Sequence, residues 1–177
     1  MNKPHGIIIF GPNGSGKTTL GRELARLLNF KSMDIEDYYF QQADIPYTKP
    51  RSREDCVNLM LADIEKYFAF VISAVNGDFG ANINKLYDLA VFLSAPTEVR
   101  IRRVKQRAYE QYGKRVCEGG DMYEQELKFY DFVESRSLMP VEQWCRTLAC
   151  TVIRVDGTAD YKTTASELAA FYASRFI

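Results

Sequence analysis

Eight residues near the start of the chain constrain its fold more strongly than any other feature. They match the pattern G-x-x-x-x-G-K-[ST] at every fixed position and read Gly11, Pro12, Asn13, Gly14, Ser15, Gly16, Lys17 and Thr18. An apolar run over residues 6–10 precedes them, and leucines recur at helical spacing after them. A strand, a glycine-rich turn and a helix in this order allow backbone N–H groups to surround a phosphate. We call residues 11–18 the phosphate loop.

The residue types in the phosphate loop divide the work of binding a nucleotide. Glycines allow the turn that points successive N–H groups inward, and the following helix adds the positive end of its dipole. Lys17 is expected to reach the β and γ phosphates of ATP, and the Thr18 hydroxyl is expected to bind Mg²⁺. The nucleotide-binding segment is expected to extend to Thr19. A glycine-rich turn with an incidental lysine is the simpler alternative.

Strand and helix patterns alternate along the whole chain. Apolar runs over residues 30–33, 68–75, 89–93 and 151–155 predict four further strands, with helical periodicity between them. Such alternation predicts an α/β domain in which right-handed crossovers join parallel strands. A length of 177 residues fits one domain, so residues 1–177 are expected to form a single unit.

With these features the chain resembles the P-loop small-molecule kinases of the nucleoside monophosphate kinase class, which includes adenylate, shikimate and gluconate kinases. A description as an AAA-type ATPase is compatible with the same motif. The resemblance implies a three-layer P-loop NTPase fold, with helices on both faces of a five-stranded parallel sheet in the order 2-3-1-4-5. It also implies Mg-ATP as phosphate donor, a small-molecule acceptor, an acceptor-binding insert at about residues 38–67 and a lid at about residues 107–122.

Three carboxylates follow the second predicted strand, at the sheet edge where open parallel sheets bind ligands. Asp34 and Asp37 are chosen as catalytic and substrate-binding groups, and Asp34 with Thr18 as metal ligands, because phosphotransfer needs a proton acceptor and a magnesium anchor. In shikimate kinase the similar acids are two aspartates separated by one residue. Glu36 holds that alternate position here, so the division of labour between Glu36 and Asp37 stays open. A solvent-facing turn is the alternative.

Other candidate substrate-binding residues lie on loops and at helix ends. Arg51 and Arg53 are expected to clamp a phosphate or carboxylate of the acceptor, with a solvated loop as an equally good alternative. Gly77 and Asp78 follow the third strand, where the class has an acceptor loop, although a plain turn explains them nearly as well. Arg136 resembles the arginine that follows the lid in nucleotide kinases.

Arginines recur at positions 100, 103 and 107, which places them on one face of a helix. Transferring a phosphoryl group requires several guanidinium groups, and a solvated basic helix is the alternative. By resemblance, Arg107 corresponds to the arginine that stacks on adenine, and Arg115 to a lid arginine that meets the phosphates. The segment formed by Asp156, Gly157 and Thr158 is similar to the loop that packs against adenine, and a strand-ending turn is equally consistent.

Charge and composition exclude several function classes. Lys and Arg together number 23, as do Asp and Glu, so no net field attracts nucleic acid or an anionic membrane. The apolar run over residues 68–75 is too short to cross a bilayer, and a cytoplasmic protein without membrane or nucleic-acid partners is expected. The single histidine disfavours a histidine base, and the four cysteines lack metal-site spacing. A regulatory NTPase that hydrolyses ATP without a small acceptor is the alternative function.

Helix starts are predicted from capping residues. Ser52 is expected to cap a helix over residues 53–67, and Asp121 a helix over residues 122–135. Thr164 and Glu167 have the spacing of a capping box, which predicts a last helix from about residue 165.

Overall fold

Five parallel strands form one central sheet. The structure, a computed structural model, describes residues 3–176. The strands are β1 (His5–Phe10), β2 (Lys31–Asp34), β3 (Ala69–Ala74), β4 (Tyr87–Ser94) and β5 (Thr151–Asp156). Their order is β2-β3-β1-β4-β5, and every neighbouring pair runs parallel. The predicted α/β class and strand order are confirmed.

Helices connect the strands and cover both faces of the sheet. They are α1 (Lys17–Leu28), α2 (Ile35–Tyr39), α3 (Arg53–Tyr67), α4 (Ala81–Asn84), α5 (Thr97–Tyr112), α6 (Tyr123–Ser135), α7 (Met139–Cys145) and α8 (Tyr161–Phe176), with a 3-10 turn at Gly113–Val116. None of the helices described over residues 3–176 is long and apolar enough to cross a membrane.

The alternation of side chains along the strands creates two hydrophobic cores. Ile8 and Phe10 of β1 point to the face covered by α3 and α7, where Met60 and Trp144 pack. Ile7 and Ile9 point to the opposite face, where the core includes residues of α1 and α8. Because β1 is buried on both faces, its sequence is continuously apolar rather than alternating.

Two of the three predicted helix caps need correction. Ser52 does cap α3, since its Oγ accepts a hydrogen bond from the Asp55 N–H at 3.1 Å. The prediction for Asp121 is wrong, because Met122 occupies the N-cap of α6 and Asp121 instead pairs with Arg115. The capping box at Thr164 and Glu167 is also wrong. Helix α8 begins earlier, and the Asp160 carboxylate accepts from the Thr163 N–H at 2.8 Å.

Candidate active site

A cleft of about 440 Å³ opens at the carboxyl ends of the strands. Several of the sequence-predicted residues line it, namely Asn13 to Thr19, Asp34, Arg107, Asp156 and Gly157. The cleft is also lined by residues that the sequence analysis did not assign to the site, including Glu36, Arg103, Glu110 and Tyr161. The phosphate loop joins β1, the central strand of the sheet, to α1 and lines the cleft. Open parallel sheets bind their ligands at this position, beyond the carboxyl ends of the strands.

Glycines in the phosphate loop are required by its backbone and its neighbours. Gly11 has a φ of 143°, and a Cβ there would collide with the Leu93 carbonyl oxygen. Gly14 has a φ of 78°, and its Cβ would lie 2.5 Å from the Arg100 carbonyl oxygen. Ser15 is fully buried, and its Oγ has no hydrogen-bond partner within residues 3–176. A phosphate oxygen would satisfy this hydroxyl, so the cradle fits the group that the sequence pattern implies.

Lys17 is the buried cation of the cleft. Its Nζ donates a hydrogen bond to the Pro12 carbonyl at 2.8 Å. Burial lowers the pKa of Lys17 to about 8, while Glu36 and Asp34 act in the opposite direction. The nearby Arg107 and Arg136 charges lower it further. An anionic phosphate would relieve both the desolvation and the repulsion, which makes Lys17 suited to hold one.

Thr18 and Asp34 form the pair on which the magnesium prediction rests. The Thr18 Oγ1 donates to the Asp34 Oδ2 at 2.8 Å, and the other Asp34 oxygen accepts from the Glu36 N–H at 3.2 Å. Asp34 therefore caps α2, which fixes its carboxylate beside the phosphate loop. Hydroxyl and carboxylate oxygens suit Mg²⁺, which takes its other ligands from phosphates and water. The two side chains fit a magnesium ion, and their metal-binding role stays a prediction.

Glu36 and Asp37 occupy different environments although they are adjacent in sequence. Glu36 lines the cleft, whereas Asp37 is exposed and does not line it. Burial raises the pKa of Glu36, and the Asp34 charge raises it further. The charge of Arg107 and the Tyr47 hydroxyl act the opposite way. The structure therefore places Glu36 next to Lys17 and Asp34. Asp37, which the sequence predicted as a catalytic and substrate-binding residue, lies outside the cleft lining.

Three arginines predicted to serve the nucleotide or the acceptor lie in different places. Arg107 lines the cleft near Lys17 and Glu36. Arg136 lies against the loop, with its Nη1 3.5 Å from the Asn13 Oδ1, and its guanidinium stacks on Phe132. Arg115 is outside the cleft lining and forms an exposed 2.8 Å ion pair with Asp121. The structure thus brings Arg107 and Arg136 to the phosphate loop and leaves Arg115 apart.

Two further arginines of α5 fasten the phosphate loop to the rest of the fold. Arg100 is buried and its Nη1 lies 3.3 Å from the Asn13 carbonyl oxygen. The Arg103 Nη1 donates to the carbonyls of Ser15 at 3.3 Å and Gly157 at 2.8 Å. Their spacing on one helix face was the available sequence signal, but it did not reveal that their partners are backbone carbonyls. Both residues position the loop.

Gly157 brings the loop after β5 against the phosphate loop. Its N–H donates to the Ser94 carbonyl at 2.7 Å, and a Cβ at Gly157 would collide with the Ser15 carbonyl oxygen. The Asp156 carboxylate accepts from the Thr158 N–H and hydroxyl, each at 2.8 Å. Asp156 and Gly157 line the cleft, whereas Thr158 does not line it and instead donates to Asp156.

Replacing Gly157 by alanine should displace the phosphate loop. We expect the free energy of unfolding to fall by about 1–3 kcal/mol, as for other overpacked sites. The same displacement should weaken Mg-ATP binding at least about tenfold, equivalent to ~1.4 kcal/mol. Calorimetric titration and chemical denaturation measure both quantities. Thr158→Ala is the control, because it removes one exposed hydrogen bond without adding an atom. Unchanged affinity in Gly157→Ala would show that the close approach is unimportant.

The arginines and the loop assigned to the acceptor have partners within the protein. The Arg51 Nη1 approaches the carbonyl oxygens of Asp37, Tyr38 and Phe40 at 3.3, 2.9 and 2.7 Å. The Arg53 Nη2 donates to the Asp78 carbonyl at 3.2 Å. The Asp78 carboxylate accepts from Gly80 and Asn84, which closes the turn. Gly77 is buried, and a Cβ there would lie 2.5 Å from the Trp144 ring. None of these residues lines the cleft.

Arg51 and Arg53 should differ in their contribution to stability. Arg51→Met removes a guanidinium from three carbonyls at the end of α2, so we expect a loss of about 1–3 kcal/mol in the free energy of unfolding. Arg53→Met removes one exposed hydrogen bond, and its effect should stay within about 0.5 kcal/mol. Urea denaturation of the two variants measures the difference. Equal effects would mean that the Arg51 contacts do not stabilise the segment.

Comparisons with known proteins are consistent with this geometry. A family model described as an AAA domain matches residues 7–128. The protein YqaC of Bacillus subtilis (strain 168) is 30% identical over 158 residues, covering 85% of this chain and 87% of that protein. Shikimate kinase from Acinetobacter baumannii, solved in complex with shikimate, is similar over 98% of this chain and 95% of that chain, with 18% identity and a TM-score of 0.56. A sugar kinase from Janibacter sp. is similar over 96% and 94%, with 15% identity and a TM-score of 0.55. The structural similarities show a P-loop kinase fold.

Proposed function

This chain belongs to the AAA domain family, and from that premise we propose that it is an ATP-dependent phosphotransferase acting on a small molecule. One observation carries the proposal. Lys17, the Thr18–Asp34 pair and Glu36 converge on a single cleft beside the phosphate loop. A nucleotide-binding site needs only the phosphate loop. Glu36, a partly buried carboxylate in the same cleft, adds a group that can receive a proton from an acceptor.

The residues of the cleft have separate tasks in the proposed reaction. Lys17 and the N–H groups of the phosphate loop bind the β and γ phosphates. Thr18 and Asp34 would hold Mg²⁺, which when bound neutralises charge on the phosphates. Arg107 stabilises negative charge on the transferred group. The bond between the γ phosphorus and the β–γ bridging oxygen breaks, a new bond forms to the acceptor oxygen, and the acceptor proton passes to Glu36.

Glu36 is the proposed general base because its surroundings suit that task. Burial and the neighbouring Asp34 raise its pKa, which brings the carboxylate closer to the working range of a proton acceptor at neutral pH. Lys17 and Arg107 keep the group ionised by attraction, since both lower its pKa. Asp37, in contrast, is exposed and does not line the cleft.

Two structurally similar kinases support a class of acceptor. One is a shikimate kinase with bound shikimate, and another is a sugar kinase. Shikimate and sugars both carry hydroxyl groups, which supports a small-molecule hydroxyl as the acceptor here.

A phosphorylation screen tests the proposed function. The purified protein is incubated with Mg-ATP and a library of hydroxyl compounds, and products with an added phosphate are detected by mass spectrometry. We expect one compound class to be phosphorylated by the unchanged protein and not by Lys17→Ala. ATP hydrolysis at a rate independent of every compound would instead support a regulatory NTPase.

A further inference from the structure

The order of the strands sets the direction in which a bound nucleotide runs. Strands β2 and β5 are the opposite edges of the sheet, and the phosphate loop follows the central strand β1. The Thr18–Asp34 pair, the proposed site of Mg²⁺ at the β and γ phosphates, lies on the β2 side because Asp34 is the last residue of that strand. The terminal phosphates therefore lie toward β2, and the ribose and base of the nucleotide extend toward β5.

Helix α5 indicates the same direction independently. Gln106 and Arg107 both line the cleft. Because a helix turns by about 100° per residue, these two side chains lie on opposite flanks of the helix face that is centred on Arg103. Arg107 lies near Glu36, which directly follows β2 and its cap residue. Gln106 therefore lies on the flank that faces the β5 side of the cleft.

An aromatic side chain lies on the β5 side of the cleft. The loop after β5 and the start of α8 contribute Asp156, Gly157 and Tyr161 to the lining. Tyr161 is 40% exposed, so its ring presents apolar surface to the cleft. Every nucleobase has a flat face that can stack on such a ring, so stacking contributes affinity without distinguishing one base from another. Selection of a base requires a polar group at its edge.

Gln106 and Glu110 form a polar pair on the cleft face of α5. They lie about one helical turn apart, and the Gln106 Nε2 donates to the Glu110 Oε1 at 2.8 Å. This bond uses one of the two amide donors and leaves the Glu110 Oε2 and the Gln106 Oε1 as acceptors. A pair with more free acceptors than donors favours a base whose edge presents an amino group.

We infer that Glu110, oriented by Gln106, selects the phosphate donor by accepting a hydrogen bond from the amino group of adenine. This inference rests on the proposed phosphotransferase function and names residues that choose its donor nucleotide. The bond joins an N–H group to a carboxylate, which makes it stronger than a bond between two neutral groups. A purine triphosphate without the amino group keeps the phosphates, the ribose and the stacking face, and loses only this bond.

Calorimetric titration with two nucleotides tests the inference. ATP and purine riboside triphosphate, which has a hydrogen in place of the amino group, are each titrated with magnesium into the purified full chain. The variants are Glu110→Met and, as the control for the lost charge, Glu98→Met. Glu98 is exposed in the first turn of the same helix and does not line the cleft. Any effect of charge on the phosphates is common to both nucleotides and cancels in the ratio of their affinities.

The expected result is a change in that ratio at one position. ATP should bind about tenfold more tightly than the analogue in the unchanged protein and in Glu98→Met, and less than about twofold more tightly in Glu110→Met. Tyr161→Leu should weaken the binding of both nucleotides by about the same factor, roughly tenfold, and keep their ratio, because stacking does not involve the amino group.

The remaining outcomes separate the inference from the function on which it rests. Equal or weaker binding of ATP relative to the analogue in the unchanged protein would overturn the inference and leave nucleotide binding in place. A preference for ATP that persists in Glu110→Met would do the same, because another group would then contact the amino group. Failure of both nucleotides to bind the unchanged protein would overturn the phosphotransferase function, and the inference with it.

Discussion

Replacing Lys17 by methionine is expected to lower the rate of phosphotransfer at least about 10³-fold. A cation at the β and γ phosphates stabilises the negative charge of the transition state, and methionine cannot do so. The same change should stabilise the unliganded protein. Burial lowers the pKa of Lys17 to about 8, so folding must desolvate a charged group at neutral pH. Removing that cost, less the lost hydrogen bond to Pro12, should add about 1–3 kcal/mol to the free energy of unfolding.

The stabilisation by Lys17→Met should depend on pH in a defined direction. The folded-state pKa lies below the ordinary value of 10.5, so the penalty is fully present below about pH 8. It declines as the pH rises from there toward 10.5, where the unfolded lysine also loses its proton. Urea denaturation at pH 6, 8 and 9.5 should therefore show a shrinking advantage of the variant. Lys85→Met, at an exposed position, is the control. A pH-independent difference between Lys17→Met and the unchanged protein would contradict this account.

Glu36→Gln should lower kcat by about 10²–10⁴, which is the usual contribution of a general base. Asp37→Asn, the neighbouring isosteric change, should alter kcat by less than about fivefold, because the exposed Asp37 carboxylate does not line the cleft. The measurement is steady-state phosphorylation of the acceptor found in the screen. A larger loss in Asp37→Asn than in Glu36→Gln would assign the base to Asp37 instead.

The pH profile of kcat provides an independent check on Glu36. A base must be ionised to act, so activity should fall as the pH drops through the raised pKa of Glu36. This acid limb should disappear in Glu36→Gln, whose residual activity has no carboxylate to protonate. An acid limb that persists unchanged in the variant would mean that another group produces it.

The sequence alone predicted the features that depend on local pattern. The phosphate loop can be recognised from its sequence because its glycines adopt backbone conformations that other residues avoid, such as the positive φ of Gly14. The apolar run over residues 6–10 predicted a strand directly before the phosphate loop, and β1 confirms it. The strand order came from resemblance to a kinase class, and the order β2-β3-β1-β4-β5 confirms it.

Features that depend on distant contacts could not be predicted in the same way. Arg51 and Arg53 look like anion-binding groups in sequence, and only the fold places backbone carbonyls in front of them. The choice between Glu36 and Asp37 depends on the rotation of α2 about its axis, which its five residues specify weakly. The start of α8 was misplaced because Asp160 and Thr164 are both acceptable caps, and local sequence does not rank them.

The anchoring of α5 limits how the proposed lid can move. Arg100 and Arg103 attach the first two turns of the helix to carbonyls of the phosphate loop, so these turns are fastened to the nucleotide site. A hinge for the predicted lid would then lie further along the chain, where Gly113 has a φ of 58° and a ψ of −129° and a Cβ would meet no neighbouring atom. A swing about this residue would carry Arg115 toward or away from the cleft while Arg107 stays in place.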